Sequence, residues 1–401
     1  SGPAPLIPRR SRPTYAGDAF LGSPVCVGPP GPPRVARDGP SGALRWNITV
    51  ADNALGYSIT AAPLAFKDLV IVGIGGPDRW LAGSLDASPA RTGARRRRFY
   101  TVPAPGEPGN DSWGGDSWKT GGGSTWVTGS YDPALGLIYW GTGNPGPDWN
   151  GDSRPGDNLY TCSLVALDAE TGALRWHFQF TPHDTHDWDA TEIPVLFDGR
   201  FHGAARKFVA MANRNGFYYL LDRKTGEFLA GEPYIRQEWA DGLDSAGRPR
   251  MRANIEPTEA GNNLTPNLHG GTNWYSPAYS PRANLFYVAA RQMGSKYFKY
   301  VASYKPGRYF MGGGEAEVGG DAAGGSVRAL DPITGKTRWS FPLHSPPWAG
   351  LLATGGGLVF GGTNEGVFFA LDALTGKPAM HSELGRQVNA HPTPYAIGGN
   401  T

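Results

Sequence analysis

Short apolar runs that end in Asp, Thr and Gly recur along the chain, and each predicts a strand, a tight turn and a second strand. Four clear copies are LVALDAETGALRW (164–176), YYLLDRKTGEFL (218–229), VRALDPITGKTRW (327–339) and FFALDALTGKPAM (368–380). Two degenerate copies are VARDGPSGALRW (35–46) and GSLDASPARTGARRRRF (83–99). Asp and Thr side chains hydrogen-bond the local backbone in such turns, and Gly supplies a positive φ. Helical periodicity is almost absent, so the pattern predicts β-hairpins.

The turn glycines of these copies set the length of the repeat. They are Gly42, Gly93, Gly172, Gly226, Gly335 and Gly376. Their base spacing of roughly 40 to 55 residues matches one four-stranded propeller blade, and the Trp after several turns is expected to pack between neighbouring sheets. The interval from Gly226 to Gly335 is about twice as long, which predicts two blades with the strand pair 276–290 between them. We predict an all-β β-propeller of about six to eight blades, with an incomplete ring as the alternative to a closed one.

Composition and charge exclude several classes of function. The chain has 401 residues, 59 Gly and 13 Trp, with 37 Lys plus Arg against 35 Asp plus Glu. This balance implies no nucleic-acid partner, and we interpret the basic run at residues 95–98 as a solvated edge. The chain contains no run of 18 apolar residues, so the sequence predicts no membrane span. For the two cysteines, Cys26 and Cys162, we favour free thiols, while a single bridge stays open.

The first part of the chain differs from the rest in composition. Residues 1–43 are rich in Pro and Gly and lack alternation, so we expect a largely irregular segment there and a propeller over residues 44–401. The opening residues SGPAPLIPRR lack the apolar core of a signal peptide, which leaves the compartment open.

A charged stretch, FTPHDTHDWDA (180–190), carries the first hint of chemistry. His183 and His186 have a spacing that one metal ion could use, but a third ligand is not apparent, and we interpret them as hydrogen-bonding residues. In a strand, Asp187 and Asp189 would face the same side, where a hard cation between them would relieve their repulsion. A solvated loop that carries both carboxylates is the alternative.

The block from residue 121 to residue 190 closely resembles the quinoprotein alcohol dehydrogenases of the methanol and ethanol type. The similarity continues through NRNGFYYLLDRKTGEFL, GGTNWYSPAYSP and PWAGLLATGGGLVFGGTNEG, so it covers roughly residues 44–401. Members of this family are periplasmic eight-bladed propellers that use pyrroloquinoline quinone (PQQ). The resemblance therefore implies PQQ, a Ca²⁺ or lanthanide ion and a periplasmic location.

The resemblance also implies roles for particular residues. Trp126 matches the ring on which the flat quinone lies, and Asp187 matches the catalytic base. Asp189 matches an extra carboxylate of the lanthanide-dependent branch. The implied metal ligands are Asn144, Asp187, Asp189 and Asp78, and the other implied cofactor-binding residues are Thr60, Ser124, Arg214, Asn273 and Trp348.

Several positions depart from the family pattern. Asp78 stands where a glutamate ligand is expected, and Ala82 stands where an arginine is expected. The adjacent cysteine pair that covers the cofactor has no counterpart, since only Cys26 is present in that region. These departures indicate a member with an altered amino-terminal part, and the sequence stops inside what should be a hairpin.

Two functions follow from these observations. The first is oxidation of a primary alcohol to the aldehyde, with a separate cytochrome c as acceptor because the chain has no Cys-x-x-Cys-His haem motif. The second is a catalytically inactive propeller that serves as a binding or scaffold module, which loss of the cysteine pair favours. The retained cofactor-site residues favour the enzyme. Asp189 predicts a preference for lanthanides over Ca²⁺, and a homodimer stays open as the assembly.

Overall fold

Strands make up most of the regular structure of the protein. The structure, a computed structural model, describes residues 16–20, 24–28, 33–76, 81–318 and 323–393. Within those ranges the helical segments are single 3₁₀ turns at Asn53–Leu55, Asn110–Ser112, Ser117–Thr120 and Gly151–Ser153. None of the helices in the described ranges is long and apolar enough to cross a membrane.

Six four-stranded antiparallel sheets form the blades of a β-propeller in the described part of the chain. Blade 1 contains β1 (Ala16–Phe20), β2 (Pro24–Gly28), β3 (Pro33–Asp38) and β4 (Leu44–Thr49). Blade 2 contains β5 (Leu64–Phe66), β6 (Leu69–Gly76), β7 (Leu81–Pro89) and β8 (Arg97–Tyr100). Blade 3 contains β9 (Ser130–Asp132), β10 (Leu137–Gly141), β11 (Ser163–Asp168) and β12 (Leu174–Gln179).

Blade 4 and two smaller sheets follow along the chain. Blade 4 contains β13 (Val195–Phe201), β14 (Ala204–Ala212), β15 (Phe217–Asp222) and β16 (Phe228–Pro233). A two-stranded sheet contains β17 (Ala240–Leu243) and β18 (Pro249–Met251). The strands from there to the end of blade 5 are β19 (Asn262–Leu264), β20 (Ala278–Ser280), β21 (Leu285–Gln292), β22 (Ser295–Lys299), β23 (Gly313–Glu317), β24 (Gly324–Leu330) and β25 (Thr337–Leu343).

Blade 5 is formed by β20, β21, β24 and β25, while β19, β22 and β23 form a three-stranded sheet. Blade 6 contains β26 (Leu352–Ala353), β27 (Leu358–Gly362), β28 (Val367–Asp372) and β29 (Pro378–Glu383). The strand pair at 276–290 therefore belongs to the same blade as the turn at Gly335. The prediction of two blades between Gly226 and Gly335 was wrong, because the extra residues form the two small sheets.

The predicted turns are confirmed in all six blades, where each turn glycine joins the third strand to the fourth at positive φ. The turn at Asp168 shows which hydrogen bonds specify this conformation. Its Oδ1 accepts hydrogen bonds from the backbone N of Glu170 and Thr171 at 3.0 and 2.7 Å and from the Thr171 hydroxyl at 2.9 Å. Because strands alternate in direction, these turns lie at the opposite end of the propeller from the connections between blades.

The described part of residues 1–43 is not irregular, which corrects the expectation for this segment. Strands β1, β2 and β3 pair with one another, and β3 pairs with β4 across residue 43. The Gly and Pro content conceals strand positions, since Pro is tolerated where a ladder needs no N–H donor. The wider division at residue 43 stays a prediction, and so do the altered termini.

Blades pack on one another through alternating residues of single strands. In blade 3, Ile138 and Trp140 pack with blade 2, whereas Tyr139 between them packs with blade 4. Successive side chains on a strand point to opposite faces, so a strand that is buried on both faces reads as one apolar run. Burial on both faces therefore explains continuous apolar runs such as LIYW (137–140).

The predicted packing of Trp between neighbouring sheets is also observed. A Cβ added to Gly93 of blade 2 would lie 2.7 Å from the Trp46 ring of blade 1, and Trp46 Nε1 donates to the Ala90 carbonyl at 2.8 Å. At the next interface Arg97 takes the place of Trp and donates to the backbone of Glu170. Part of the basic run at 95–98 is thus used to join blades rather than merely solvated.

Candidate active site

A cavity of about 260 Å³ opens at the end of the propeller that carries the connections between blades. Each of its side chains comes from a connection between blades or from a turn between a second and a third strand. The lining residues are Thr60, Gly76, Gly122, Ser124, Trp126, Asn144, Asp187, Asp189, Arg214, His269, Asn273 and Trp348. Residues that are up to 288 positions apart in sequence therefore meet in one space.

The two aspartates of the DWD segment lie in a loop, which the sequence left open as the alternative to a strand. Asp187 has a φ of 60°, which no strand residue adopts. Asp184 stabilises the loop, because its carboxylate accepts hydrogen bonds from the backbone N of Trp188 at 3.0 Å and of His186 at 3.3 Å. Burial raises the pKa of Asp184 to about 7. Both cavity carboxylates are thus placed by this loop rather than by strand alternation.

Asp189 organises the wall of the cavity. Its Oδ2 accepts hydrogen bonds from Trp126 Nε1 at 2.9 Å and from Arg214 Nη1 at 2.7 Å. Its Oδ1 accepts from the backbone N of Asn144 at 2.7 Å. A carboxylate oxygen has two lone pairs, so Oδ1 keeps one for a further partner such as a cation. Asp189 therefore links the predicted cofactor platform to the predicted amide ligand.

Arg214 is the cationic centre of the site. Its guanidinium also donates to the carbonyl of Leu268, and its Nη2 lies 4.0 Å from Asp187 Oδ2. Burial opposes its charge, but the carboxylates of Asp189 and Asp187 outweigh that effect and hold the pKa of Arg214 above its ordinary value. Gly270 packs on this residue so closely that a Cβ would lie 2.6 Å from the Arg214 carbonyl oxygen.

Asn144 presents its side-chain amide at the edge of the cavity. The Nδ2 donates to Asp148 Oδ1 at 2.8 Å, which fixes the amide and turns its oxygen away from that contact. Gly143 precedes it, and a Cβ there would lie 2.6 Å from both Asp189 Oδ1 and Ser124 Oγ. Only glycine allows the backbone to approach these groups.

Trp126 forms a flat, half-buried wall of the cavity. Its backbone carbonyl accepts a hydrogen bond from Thr60 Oγ1 at 2.9 Å, while its ring is held through Nε1 by Asp189. An indole fixed at both its backbone and its ring offers a rigid face for stacking with little further loss of entropy.

Trp348 and His269 form another wall. The guanidinium of Arg291 lies 4.6 Å from the centre of the Trp348 ring, and the His269 ring meets it edge to face at 5.2 Å. The His269 carbonyl accepts from Asn273 Nδ2 at 3.0 Å. Burial first, and then the positive charges of Arg291 and Arg214, lower the pKa of His269 to about 4, so this imidazole is neutral at pH 7.

The structure thus brings together nine of the ten site residues predicted from the sequence. The tenth, Asp78, lies outside the described residues. His269 was missed, because a single His between Leu and two glycines carries no motif. The interpretation of His183 and His186 as hydrogen-bonding residues agrees with their contacts to the carbonyls of Gly156 at 2.8 Å and Ile255 at 3.0 Å. In the described ranges, no group of three or more His, Cys, Asp and Glu side chains is arranged to hold a metal ion.

The free thiol at Cys162 is buried, as the sequence favoured. Burial raises the pKa of this thiol well above its ordinary value, so it is not a reactive thiolate. The predicted metal ligands that line the cavity all offer oxygen atoms. They are the amide of Asn144 and the carboxylates of Asp187 and Asp189.

Comparisons with known proteins point to one group of enzymes. A family model described as the glucose/ethanol/alcohol dehydrogenase β-propeller domain matches residues 38–231, and one described as outer membrane protein assembly factor BamB matches residues 323–397. The quinoprotein alcohol dehydrogenase PedH of Pseudomonas putida is 36% identical in an alignment of 409 positions, which covers 96% of this chain and 68% of PedH.

Two further relatives agree with this result. The lanthanide-dependent methanol dehydrogenase of Methylacidiphilum fumariolicum is 34% identical, over 90% of this chain and 63% of its own length. The solved structure of a europium-containing methanol dehydrogenase superposes with a TM-score of 0.88 at 33% identity, covering 94% of this chain and 69% of the other. The chain thus spans about two thirds of the length of these relatives.

Proposed function

The chain belongs to the family of quinoprotein alcohol dehydrogenases, and from that premise we propose that its cavity binds PQQ beside a Ca²⁺ or lanthanide ion to oxidise a primary alcohol. One observation carries the proposal. Nine residues predicted as cofactor or metal contacts, from distant parts of the sequence, line a single cavity. A scaffold propeller has no need to keep aromatic, amide, carboxylate and guanidinium groups together in that way.

The residues present fit such a pair of ligands. Asn144, Asp187 and Asp189 offer hard oxygen atoms, which Ca²⁺ and the similarly hard lanthanides prefer. Trp126 offers a rigid flat face, and Arg214 offers a buried cation for an anionic group or a developing negative charge. Ser124, Thr60, Asn273 and Trp348 would complete the contacts with the quinone. Asp78 remains a proposed fourth metal ligand.

PQQ would supply a carbonyl carbon that accepts a hydride, and the cation would polarise that carbonyl. Asp187 is the group placed to take the proton of the alcohol hydroxyl as general base. Arg214 Nη2 lies 4.0 Å from Asp187 Oδ2, and a cation beside Asp187 would add a second positive charge there. Trp126 and Trp348 line the cavity, and exclusion of water by their rings would strengthen these interactions.

A titration of the apo-protein with PQQ tests the proposal directly. Bound PQQ is expected to quench the fluorescence of Trp126 and Trp348, so the wild-type protein should show a saturable signal that Trp126→Phe reduces. The titration should need La³⁺ or Ca²⁺ for tight binding, because the ion neutralises the carboxylates of the site. Equal, ion-independent quenching of both proteins would contradict the assignment.

The electron acceptor and the compartment are further parts of the proposal. The relatives that this chain resembles include quinohemoprotein alcohol dehydrogenases. We propose a cytochrome c in the periplasm as the electron acceptor.

A second candidate, a binding module without catalysis, is favoured by the match of the BamB model to residues 323–397. That match covers blade 6 and part of blade 5, and Trp348 is the one lining residue of the cavity that it includes. The two candidates differ in one measurement: a binding module should fail to bind PQQ in the titration above.

A further inference from the structure

The turns between the third and fourth strands of blades 1 and 2 carry an excess of arginine. Residues 34–45 and 91–97 contain seven arginines and one acidic residue, Asp38, whereas the whole chain is nearly neutral at +2. The corresponding turn of blade 3, residues 168–175, contains two acidic residues and one arginine. The positive charge is therefore a local feature of two neighbouring blades and does not reflect a generally basic protein.

Three of the seven arginines stabilise the fold. Arg34 is buried and donates to the carbonyl of Gly93 at 3.4 Å, and Arg45 pairs with Asp38 at 2.5 Å. Arg97 donates to backbone carbonyls of blade 3. The other four arginines are exposed to solvent, and they are Arg37, Arg91, Arg95 and Arg96.

Packing between blades 1 and 2 brings the two turns together. Trp46 of blade 1 packs on Gly93 of blade 2, so the exposed side chains on either side of this contact share one surface. An open cavity of about 580 Å³ lies between the blades and is lined by Arg45, Lys67, Asp68, Pro89, Ala90, Arg91 and Thr92. Lys67 is paired with Glu170, and Asp68 is the one acidic residue of the lining. This cavity can receive an anionic group such as the phosphate of a lipid head group.

An exposed apolar side chain lies among these charges. Leu44 begins β4, pairs with Arg37 across the turn and is 56% exposed. We call Leu44 and the four exposed arginines the basic patch. Because Trp46 is packed on Gly93, it offers no free ring on which a nucleobase could stack. A basic surface with an exposed aliphatic side chain is typical of peripheral membrane binding rather than of nucleic-acid binding.

The basic patch and the active-site cavity lie at opposite ends of the propeller. The patch belongs to turns between third and fourth strands, whereas the cavity is lined by connections between blades and by turns between second and third strands. A membrane that contacts the basic patch would therefore leave the cavity open to water.

We propose that the basic patch docks the protein on an anionic phospholipid membrane, with the active-site cavity directed away from the bilayer. The exposed arginines are attracted by the negative surface, and Leu44 enters the head-group region. The inference goes beyond the proposed function. It concerns a surface outside the cavity and does not depend on binding of a quinone or an ion.

Co-sedimentation of the apo-protein with lipid vesicles tests the docking surface. Vesicles of equal parts phosphatidylglycerol and phosphatidylcholine should bind the wild type at low ionic strength, and vesicles of phosphatidylcholine alone should not. Salt should weaken the binding, because it screens exposed charges. Failure of the wild type to bind the anionic vesicles at low salt would overturn the proposal.

Variants of the basic patch separate its charge from its apolar side chain. Arg95→Gln with Arg96→Gln should raise the dissociation constant about 30-fold at low salt, which corresponds to about 5-fold for each arginine near an anionic surface. Leu44→Ser should raise it about 5-fold at low and at physiological salt, because burial of apolar area is not screened. Thermal unfolding of the double variant should match that of the wild type, since both arginines are exposed.

The matched control removes two charges at the cavity end of the propeller. Lys305→Gln with Arg308→Gln changes the net charge equally, and both residues are exposed in the connection between β22 and β23. A Cβ added to Gly307 between them would lie 3.1 Å from the carbonyl oxygen of Ala54, in the connection from blade 1 to blade 2. This variant should bind the anionic vesicles as the wild type does. Equal losses in the two double variants would overturn the proposal.

A fluorescent single-stranded oligonucleotide tests a nucleic acid as the alternative partner. At physiological ionic strength we expect the protein to bind the anionic vesicles more tightly than the oligonucleotide, because the basic patch lacks rings for base stacking. Tighter binding of the oligonucleotide would contradict a membrane as the partner.

Discussion

Asp189 accepts a 2.7 Å hydrogen bond from Arg214 Nη1, and both side chains are more than 90% buried. The same carboxylate holds the Trp126 ring and the backbone of Asn144. The residue that resembles a metal ligand of the lanthanide branch is therefore also the group that assembles the cavity wall. The structural role and the proposed ligand role of Asp189 make different predictions, which stability and ion binding can separate.

Asp189→Ala is expected to lower the free energy of unfolding of the apo-protein by about 3 kcal/mol, because it leaves the buried Arg214 cation without its closest partner. Urea unfolding followed by tryptophan fluorescence measures this. Asp241→Ala is the matched control, since Asp241 pairs with Arg252 on the surface, and it should change stability by less than about 1 kcal/mol. Similar small losses in both variants would argue against the structural role of Asp189.

Ion preference follows from the number of carboxylates around the cation. With Asp187 and Asp189 both facing the cavity, we predict that La³⁺ supports PQQ binding at lower concentrations than Ca²⁺ does, because the higher charge gains more from each carboxylate. Asp189→Asn should reduce the difference between the La³⁺ and Ca²⁺ concentrations that PQQ binding requires. Reconstitution with each ion tests this, and a site that works with Ca²⁺ alone would refute it.

Packing between blades predicts unequal costs for two glycine substitutions. Gly226 and Gly203 both have positive φ, at 79° and 83°, but a Cβ at Gly226 would lie 2.7 Å from the Trp176 ring, while Gly203 has open space. Gly203→Ala should cost only the strain of positive φ, about 1 kcal/mol. Gly226→Ala should cost about 3 kcal/mol, because Trp176 must move as well. Equal costs in thermal unfolding would contradict the packing.

The neutral His269 predicts a pH dependence of stability. Its pKa falls from 6.5 to about 4 on folding, so between these values the unfolded chain binds a proton that the folded protein does not. Stability from this residue is present above pH 6.5 and is lost as the pH falls towards 4. The free energy of unfolding of the wild type minus that of His269→Gln should therefore rise with pH across this window. A flat difference would show that His269 is not neutralised by its surroundings.

The turns of the propeller could be predicted from sequence because their physics is local. Asp168 and Gly172 lie four residues apart, and the hydrogen bonds within that segment specify its conformation. The number of blades between Gly226 and Gly335 could not be predicted in this way, since residue counts do not distinguish a blade from an inserted sheet. The inserted three-stranded sheet pairs β19 with β22 across all of β20 and β21.

The candidate site could be predicted only through resemblance to a family. The sequence left both a strand and a solvated loop open for Asp187 and Asp189, because the loop conformation depends on hydrogen bonds to Asp184. The pairing of Asp189 with Arg214 joins the connection before blade 4 to a turn within blade 4, and no local pattern encodes it. His269 escaped notice for the same reason, because its neighbours in space, Arg291 and Trp348, are distant in the sequence.

Alcohol oxidation by the reconstituted protein tests the central claim, that the cavity is a working quinoprotein site with Asp187 as its base. The protein is loaded with PQQ and La³⁺ or Ca²⁺, and dye-linked oxidation of methanol and ethanol is compared for the wild type, Asp187→Asn and the exposed control Asp116→Asn. We predict turnover by the wild type and the control, and a loss of about 10³-fold in kcat for Asp187→Asn with the fold intact, within the range for removal of a general base. Full turnover by Asp187→Asn would contradict the claim.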